Sequence, residues 1–293
     1  MSSARSESTR LIAGVLFLCA SWALQPAHAY GGERLTATGG VTQIEGAAGG
    51  GMVPWALIAG YGTRDEVGFT TSYTHLFIDD FRLQSAGVAI GIFDRLEISL
   101  ARQPLELEST VRGQSISQNM VGIKLKLVGD AIFDQDLLLP QIAIGALFKN
   151  NLDFAVPRSL GAKKESGTDV YLPATKLHLA ALAGCNVLWN TTARATKANH
   201  SGLLGFGGDK NDDYRLKFEG SLAFFIHDRL AVGMEYRAKP DSLNVFKEDS
   251  FKDVFVAFAP DQRFLFTAAY ANLSNVADKA NQHALYLSGQ LSF

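Results

Sequence analysis

The stretch Tyr214-Arg-Leu-Lys-Phe-Glu-Gly-Ser-Leu-Ala-Phe-Phe-Ile226 places Leu216, Phe218, Leu222, Phe224 and Ile226 on one side of an extended chain. Arg215, Lys217, Glu219 and Ser221 fall on the other. A period of two marks a strand, because successive side chains point to opposite faces. The same alternation sets Val121, Ile123, Leu125 and Leu127 against Gly122, Lys124 and Lys126, and Leu96, Ile98 and Leu100 against Glu97, Ser99 and Ala101. A soluble sandwich turns its charged face to water, whereas a membrane barrel turns its apolar face to lipid and its polar face to the lumen. Alternation alone fits both.

The connections discriminate. Strands read at 35–44, 53–61, 66–77, 82–92, 95–103, 117–128, 138–148, 170–181, 184–197, 215–226, 229–238, 251–259, 262–273 and 283–293 give an even count of about fourteen. From the second strand onward, tight turns at 62–65, 93–95, 181–184, 227–229 and 260–263 and a moderate one at 129–136 alternate with polar connections at 104–117, 149–169, 198–213, 239–250 and 274–282. Only 78–81 breaks the pattern. Short turns at one end and long loops at the other are what an outer-membrane barrel presents, and closure removes the edges that lipid could not satisfy. The expected fold is an all-β, transmembrane, antiparallel up-and-down β-barrel of about fourteen strands. Twelve is the alternative if the Gly-rich first hairpin, 35–61, stays out of the sheet; the fourteen-strand register puts its connection near Gly49 on the outer surface. Phe93-Asp94-Arg95-Leu96 and His227-Asp228-Arg229-Leu230 read as one hairpin solution used twice, rather than as a catalytic Asp–Arg pair.

Composition agrees. The 293 residues are 47% hydrophobic and 19% charged, with 28 Gly and 19 Phe, yet no run after Tyr30 approaches the roughly 18 apolar residues a membrane helix needs. A net charge of −2 offers no basic face for nucleic acid. Arg5 and Arg10, the apolar run Leu11–Leu24 and Ala27-His28-Ala29 form the grammar of an export leader, residues 1–29, cleaved after Ala29. Residues 30–293 then make one domain, destined for the outer membrane of a Gram-negative bacterium. Phe17 and Leu18 before Cys19 are not the small residues of a lipoprotein site. Cys185 is then left without an intramolecular partner.

At the C-terminus Leu285, Leu287, Leu291 and Phe293 alternate with Tyr286, Ser288, Gln290 and Ser292, with Gly289 interrupting the apolar row. This resembles the terminal strand by which the bacterial barrel-assembly machinery recognises its clients, which implies an assembly role for Phe293. Narrower motifs are Gly46-Ala-Ala-Gly-Gly-Gly51 followed by Pro54-Trp55, Gly60-Tyr-Gly-Thr-Arg64 and Leu203-Leu-Gly-Phe-Gly-Gly-Asp209. In these the chain is similar to the proteobacterial family known as domain of unknown function 3034. That resemblance implies a family and no mechanism.

Few residues suggest chemistry. Gly46–Gly51 lacks the Gly-Lys-Ser/Thr ending of a phosphate loop and reads as a connection. Asp209, Asn211 and Asp213 match the first half of a calcium loop, but Tyr214 stands where Gly is needed and Gly220 where a bidentate Glu is needed, so a solvated loop is expected. His75, His178, His200, His227 and His283 are scattered without catalytic spacing; no enzyme and no cofactor are implied. Strand parity turns Lys124, Lys126, Lys176, Arg194, Arg215, Lys217 and Arg237 inward against Glu97, Glu219 and Glu235, seven positive to three negative. Cross-strand pairs could neutralise them; an uncompensated cationic lining would favour anions. Small inward residues, Gly87, Ala89, Gly91, Ala101, Gly122, Ala231 and Gly233, leave the wall thin and support open volume. The expected activity is a passive channel or uptake pore for small hydrophilic solutes, in contact with outer-membrane lipid. The rivals are a closed structural or surface-binding barrel and a membrane-embedded lipid hydrolase.

Overall fold

A computed structural model describes residues 40–107 and 114–293. The leader and its cleavage site lie outside the described residues. Twelve antiparallel strands form the wall: β3 (Val67–Ile78), β4 (Arg82–Ile92), β5 (Leu96–Glu106), β6 (Ser115–Val128), β7 (Gln141–Asn151), β8 (Ser166–Leu182), β9 (Cys185–Thr196), β10 (Arg215–His227), β11 (Leu230–Arg237), β12 (Phe251–Phe258), β13 (Phe264–Val276) and β14 (Lys279–Ser292). Each pairs with its sequence neighbours, and β14 closes onto β3 with Leu287 opposite His75.

The wall has twelve strands, not fourteen, and the alternative named from the sequence is the one adopted. Residues 41–49 form only a small ladder of β1 (Val41–Thr42) and β2 (Ala48–Gly49), separate from the barrel sheet. The reason lies in composition. Between Gly40 and Gly60 the single charged side chain is Glu45, and no polar–apolar alternation could give this segment one lipid face and one lumen face. It enters the lumen instead, and all of residues 40–60 are buried.

The outward rows form an apolar belt: Ile98 and Leu100 on β5, Val121 and Ile123 on β6, Leu216 and Phe218 on β10, and Leu285 and Leu287 on β14 are all exposed. An exposed band of this kind is unfavourable in water and matches the hydrocarbon of a bilayer. The two Asp-Arg turns differ in backbone. Phe93 and Asp94 take positive φ, 56° and 49°, with Arg95 N–H donating to Ile92 O at 3.0 Å. Asp228 and Arg229 take no positive φ and close His227 onto Leu230.

The loop end is covered. Residues 197–214 carry a 3-10 turn (Asn199–Gly202), and Leu203, Leu204 and Phe206 are buried with Leu243 of the 238–250 loop. The connection after β7 forms a short helix, α1 (Ala155–Ser159), and pairs Lys164 with Phe206.

Candidate functional site

The lumen and the segment inside it form the one extended polar assembly of the described fold. Both ends of residues 40–60 lie at the turn end of the barrel. There Gly40 O accepts from Gln290 Nε2 (3.2 Å), and Tyr61 N–H donates to the Phe293 carbonyl (3.5 Å). Between these ends the segment climbs the lumen as a plug, and inward wall side chains satisfy its backbone. Lys124 Nζ donates to Ala48 O (2.9 Å) and Leu57 O (2.7 Å). Glu97 accepts from Ala48 N (3.1 Å) and Ala59 N (2.9 Å), and Thr175 Oγ1 accepts from Ala56 N (2.8 Å). Gln141 Nε2 donates to Ala56 O (2.6 Å), and Thr192 Oγ1 donates to Pro54 O (2.8 Å). Buried backbone groups need such partners, and here the wall supplies them in place of a sheet.

Glu45 is the charged anchor. Its carboxylate meets Lys149 Nζ (2.5 Å), Arg194 Nη1 (3.1 Å) and Arg237 Nη2 (2.7 Å). Arg194 also pairs with Glu219 (2.6 Å) and Asp169 (3.2 Å), Lys149 with Asp169 (2.7 Å), and Arg237 with Glu219 (3.5 Å). Three cations thus meet three carboxylates, all with side chains at most 5% exposed. A buried network of this kind is tolerable only when every member is paired.

Ala89, Gly91 and Ala101 make room for the plug, whereas Gly122 and Gly233 make room for the wall side chains Leu147 and Phe255. Ala48 and Ala59 cluster with Ala89, and a Cβ on Gly46 would come within 2.8 Å of the Ala101 Cβ. A Cβ on Gly91 would collide with the Ala59 carbonyl, and one on Gly50 with the Glu235 carboxylate.

The sequence-selected charges separate by depth. Lys124, Arg194, Arg237, Glu97, Glu219 and Glu235 are buried around the plug. Lys176 is buried beneath the 129–140 connection, where Nζ donates to Asp130 O (3.2 Å) and Asp134 O (2.6 Å). Lys126 sits at the turn end between Asp94 (2.7 Å) and Asp130 (3.5 Å), beside a 510 Å³ cleft that Arg64 and Arg95 also line. Burial alone would raise the Asp130 carboxyl, but the N–H groups of Phe133 and Ile132 and the charge of Lys126 hold it below its usual value. Arg215 and Lys217 are not in the enclosed lumen: Arg215 is exposed and Lys217 half-buried at the loop-end rim. Sequence reading missed Lys149 and Asp169, which lie just beyond the strand bounds it drew, and Asp253, which lies inside the strand read at 251–259. It also missed Glu45, whose segment it gave to the wall.

The loop-end cover has its own titrating group. Lys239 Nζ lies 4.0 Å and His200 Nε2 3.9 Å from Glu248 Oε2. Burial pushes the Glu248 carboxyl up to about 7 and the Lys239 amine down to about 8. Burial and the nearby Lys239 charge hold His200 well below its usual value. Elsewhere His75 stacks on Phe77, His283 stacks on Tyr270 and His178 accepts from Trp189 Nε1 (3.0 Å); none of these contacts includes a serine hydroxyl. Asp209 accepts from Asn244 N (3.0 Å), and Asn211 Oδ1 accepts from Arg215 Nε (3.1 Å), so these oxygens brace the loops.

A closed antiparallel barrel with an apolar outer belt, short turns at one end and ion pairs on its inner wall is a membrane-spanning barrel of the outer-membrane kind. The chain belongs to the family described as Protein of unknown function (DUF3034), whose model matches residues 38–290. No curated protein matches it. Among solved structures it is similar to the NanC porin (TM-score 0.51, 9% identity, covering 75% of this chain and 98% of that one). It is also similar to the KdgM porin (0.49, 11%, 76% and 99%) and to the outer membrane phospholipase of Salmonella typhi (0.43, 9%, 80% and 91%). At these identities the likeness is one of fold.

Proposed function

We propose that the protein is an outer-membrane channel for small hydrophilic solutes, closed at rest by residues 40–60. The observation that carries this reading is the inner wall. A barrel that only filled its lumen could do so with apolar side chains alone, whereas this wall adds Lys124, Lys149, Arg194 and Arg237 to a segment whose Met52, Val53, Trp55 and Leu57 also join Leu188 and Phe255 of the wall in one apolar cluster. The polar contacts exchange for water when the segment leaves, so the lumen around Lys149, Arg194 and Arg237 would be wettable. Exported chain inserted by the barrel-assembly machinery would have its turns in the periplasm, and the plug would enter from that side. Arg215 and Lys217 at the outer rim favour entry of anionic solutes.

The test is conductance of the refolded protein in planar bilayers. A mostly closed wild type with discrete openings, and longer openings when Glu45 is replaced by Gln, are expected. Silence of both proteins would overturn the reading. It would favour a closed, surface-binding barrel, the reading that the cover formed by the buried Leu203, Leu204, Phe206 and Leu243 otherwise supports.

A further inference from the structure

Glu45, Glu97, Asp169 and Glu219 each meet a Lys or Arg side chain, whereas Glu235 and Asp253 have no such partner among the described residues. They are nevertheless both buried, and they stand directly opposite each other in the β11–β12 register. Glu235 is also where the plug is fastened. Its Oε2 accepts from Met52 N–H (2.7 Å), and its Oε1 accepts from Ser221 Oγ (2.7 Å), which itself accepts from Trp55 Nε1 (2.9 Å). Asp253 Oδ1, in contrast, has no hydrogen-bond partner.

The surroundings supply no free positive charge. On β10 the inward neighbours are Glu219 and Ser221, and on β13 Ala271 lies opposite Asp253. Arg237, on the same strand as Glu235, is committed to Glu45, Glu219 and Met52 O. From β14 the Tyr286 hydroxyl comes within 3.4 Å of where a Cβ on Gly51 would sit, and Glu235 Oε2 within 3.5 Å of the same point. Two adjacent carboxylates in a dry site, without a cation, cannot both ionise at ordinary cost.

We propose that Glu235 and Asp253 form a proton-operated latch, sharing a proton while the plug is seated and releasing the plug when both ionise. The latch rests on the reading of residues 40–60 as a displaceable plug. With one proton held, Glu235 stays a carboxylate for Met52 and Ser221 while Asp253 is neutral. Loss of that proton puts two negative charges side by side behind Trp55, and the repulsion is relieved when the plug moves out and water enters. Low pH therefore seats the plug and high pH frees it.

The experiment uses Trp55 in refolded residues 30–293 carrying Trp189→Phe, which leaves Trp55 as the single tryptophan of that chain. Acrylamide quenching is followed from about pH 5 to about pH 9. Quenching should rise with pH in this protein and lose its pH dependence in Asp253→Asn. Glu235→Gln, which keeps an oxygen acceptor for Met52 N–H, should lose it as well and serves if the first variant does not fold. Flat quenching in the parent, or an unchanged profile in a folded Asp253→Asn or Glu235→Gln, overturns the latch. Because the readout needs no ion flow, a silent barrel with the expected quenching profile keeps the latch and removes the channel. A conducting barrel with flat quenching does the reverse.

Discussion

Replacing Glu45 by Gln tests the plug at its strongest attachment. In the seated state the carboxylate faces Lys149, Arg194 and Arg237 at 2.5 to 3.1 Å, and its loss leaves three buried cations against only Asp169 and Glu219. Removing one partner of a buried ionic cluster costs about 3–5 kcal/mol. With the plug released, the same cations stand in a wet lumen beside their wall carboxylates, so the penalty falls almost wholly on the seated state. At about 1.4 kcal/mol per tenfold, even the lower figure raises the ratio of released to seated molecules about a hundredfold. Two assays read this: open probability in planar bilayers and acrylamide quenching of Trp55. Both should rise, with the barrel still resisting unfolding on a gel. A folded Glu45→Gln protein with wild-type quenching would show that the Glu45 contacts do not hold the segment in place.

Four further outcomes are expected. Ala47→Cys in a Cys185→Ser background should resist a membrane-impermeant thiol reagent in intact cells and react after denaturation; labelling from outside would restore the first hairpin to the wall. Phe293→Ala should lower outer-membrane yield and raise periplasmic degradation without changing the conductance of barrels that do insert, and normal insertion would remove Phe293 from assembly. Arg215→Gln with Lys217→Gln should reduce anion preference, read as reversal potential under a salt gradient, at low salt but hardly near 1 M, because rim charges are screened within a few ångström there. Finally, Glu248 is held up to about 7 from 4.5 by burial, so between those values the closed cover binds a proton that the open loops do not. The Glu248 contribution to closure therefore grows as pH falls through this window and is lost as pH rises, whereas His200, held below its usual value, opposes closure once pH falls below 6.5. A spin label on Asn244→Cys, in the Cys185→Ser background, should become less mobile as pH falls from about 7.5 to about 6.5, and Glu248→Gln should abolish that change.

The wall was legible because a strand between lipid and lumen must alternate, and 215–219, 121–127 and 87–92 do so within the strands read at 215–226, 117–128 and 82–92. Their observed bounds, Arg215–His227, Ser115–Val128 and Arg82–Ile92, differ by at most two residues. The plug was not legible, because its stability comes from contacts of very long sequence separation: Met52 with Glu235, Thr42 with Gln290, Glu45 with Arg194. Nothing local marks Gly46–Gly51 as interior and not connection. One signal was available. A hairpin whose apolar residues, Val53, Trp55, Leu57 and Ile58, lack an opposing row of charges fits neither face of a membrane strand. That mismatch was reason to prefer the twelve-strand barrel.

Depth, more than number, decides what the inward charges can do. The excess of cations read from strand parity fades once Glu45 and Asp169 are placed, since each lies against Lys149 and Arg194 in the middle of the lumen. A pair at 3 Å in a dry interior presents little field to a solute some distance away, whereas a rim cation facing water keeps its reach over a Debye length of about 8 Å at physiological salt. At the loop end Arg215 and Lys217 follow the exposed Asp212 and Asp213, and at the turn-end cleft Arg64, Arg95 and Lys126 stand with Asp94, Asp130 and Asp134, so a solute would first meet charges of both signs. On the proposed channel reading, the buried cluster around Glu45 governs whether a path exists, and the rim charges govern what enters it. Substitutions in the first group should alter open probability, and those in the second should alter reversal potential.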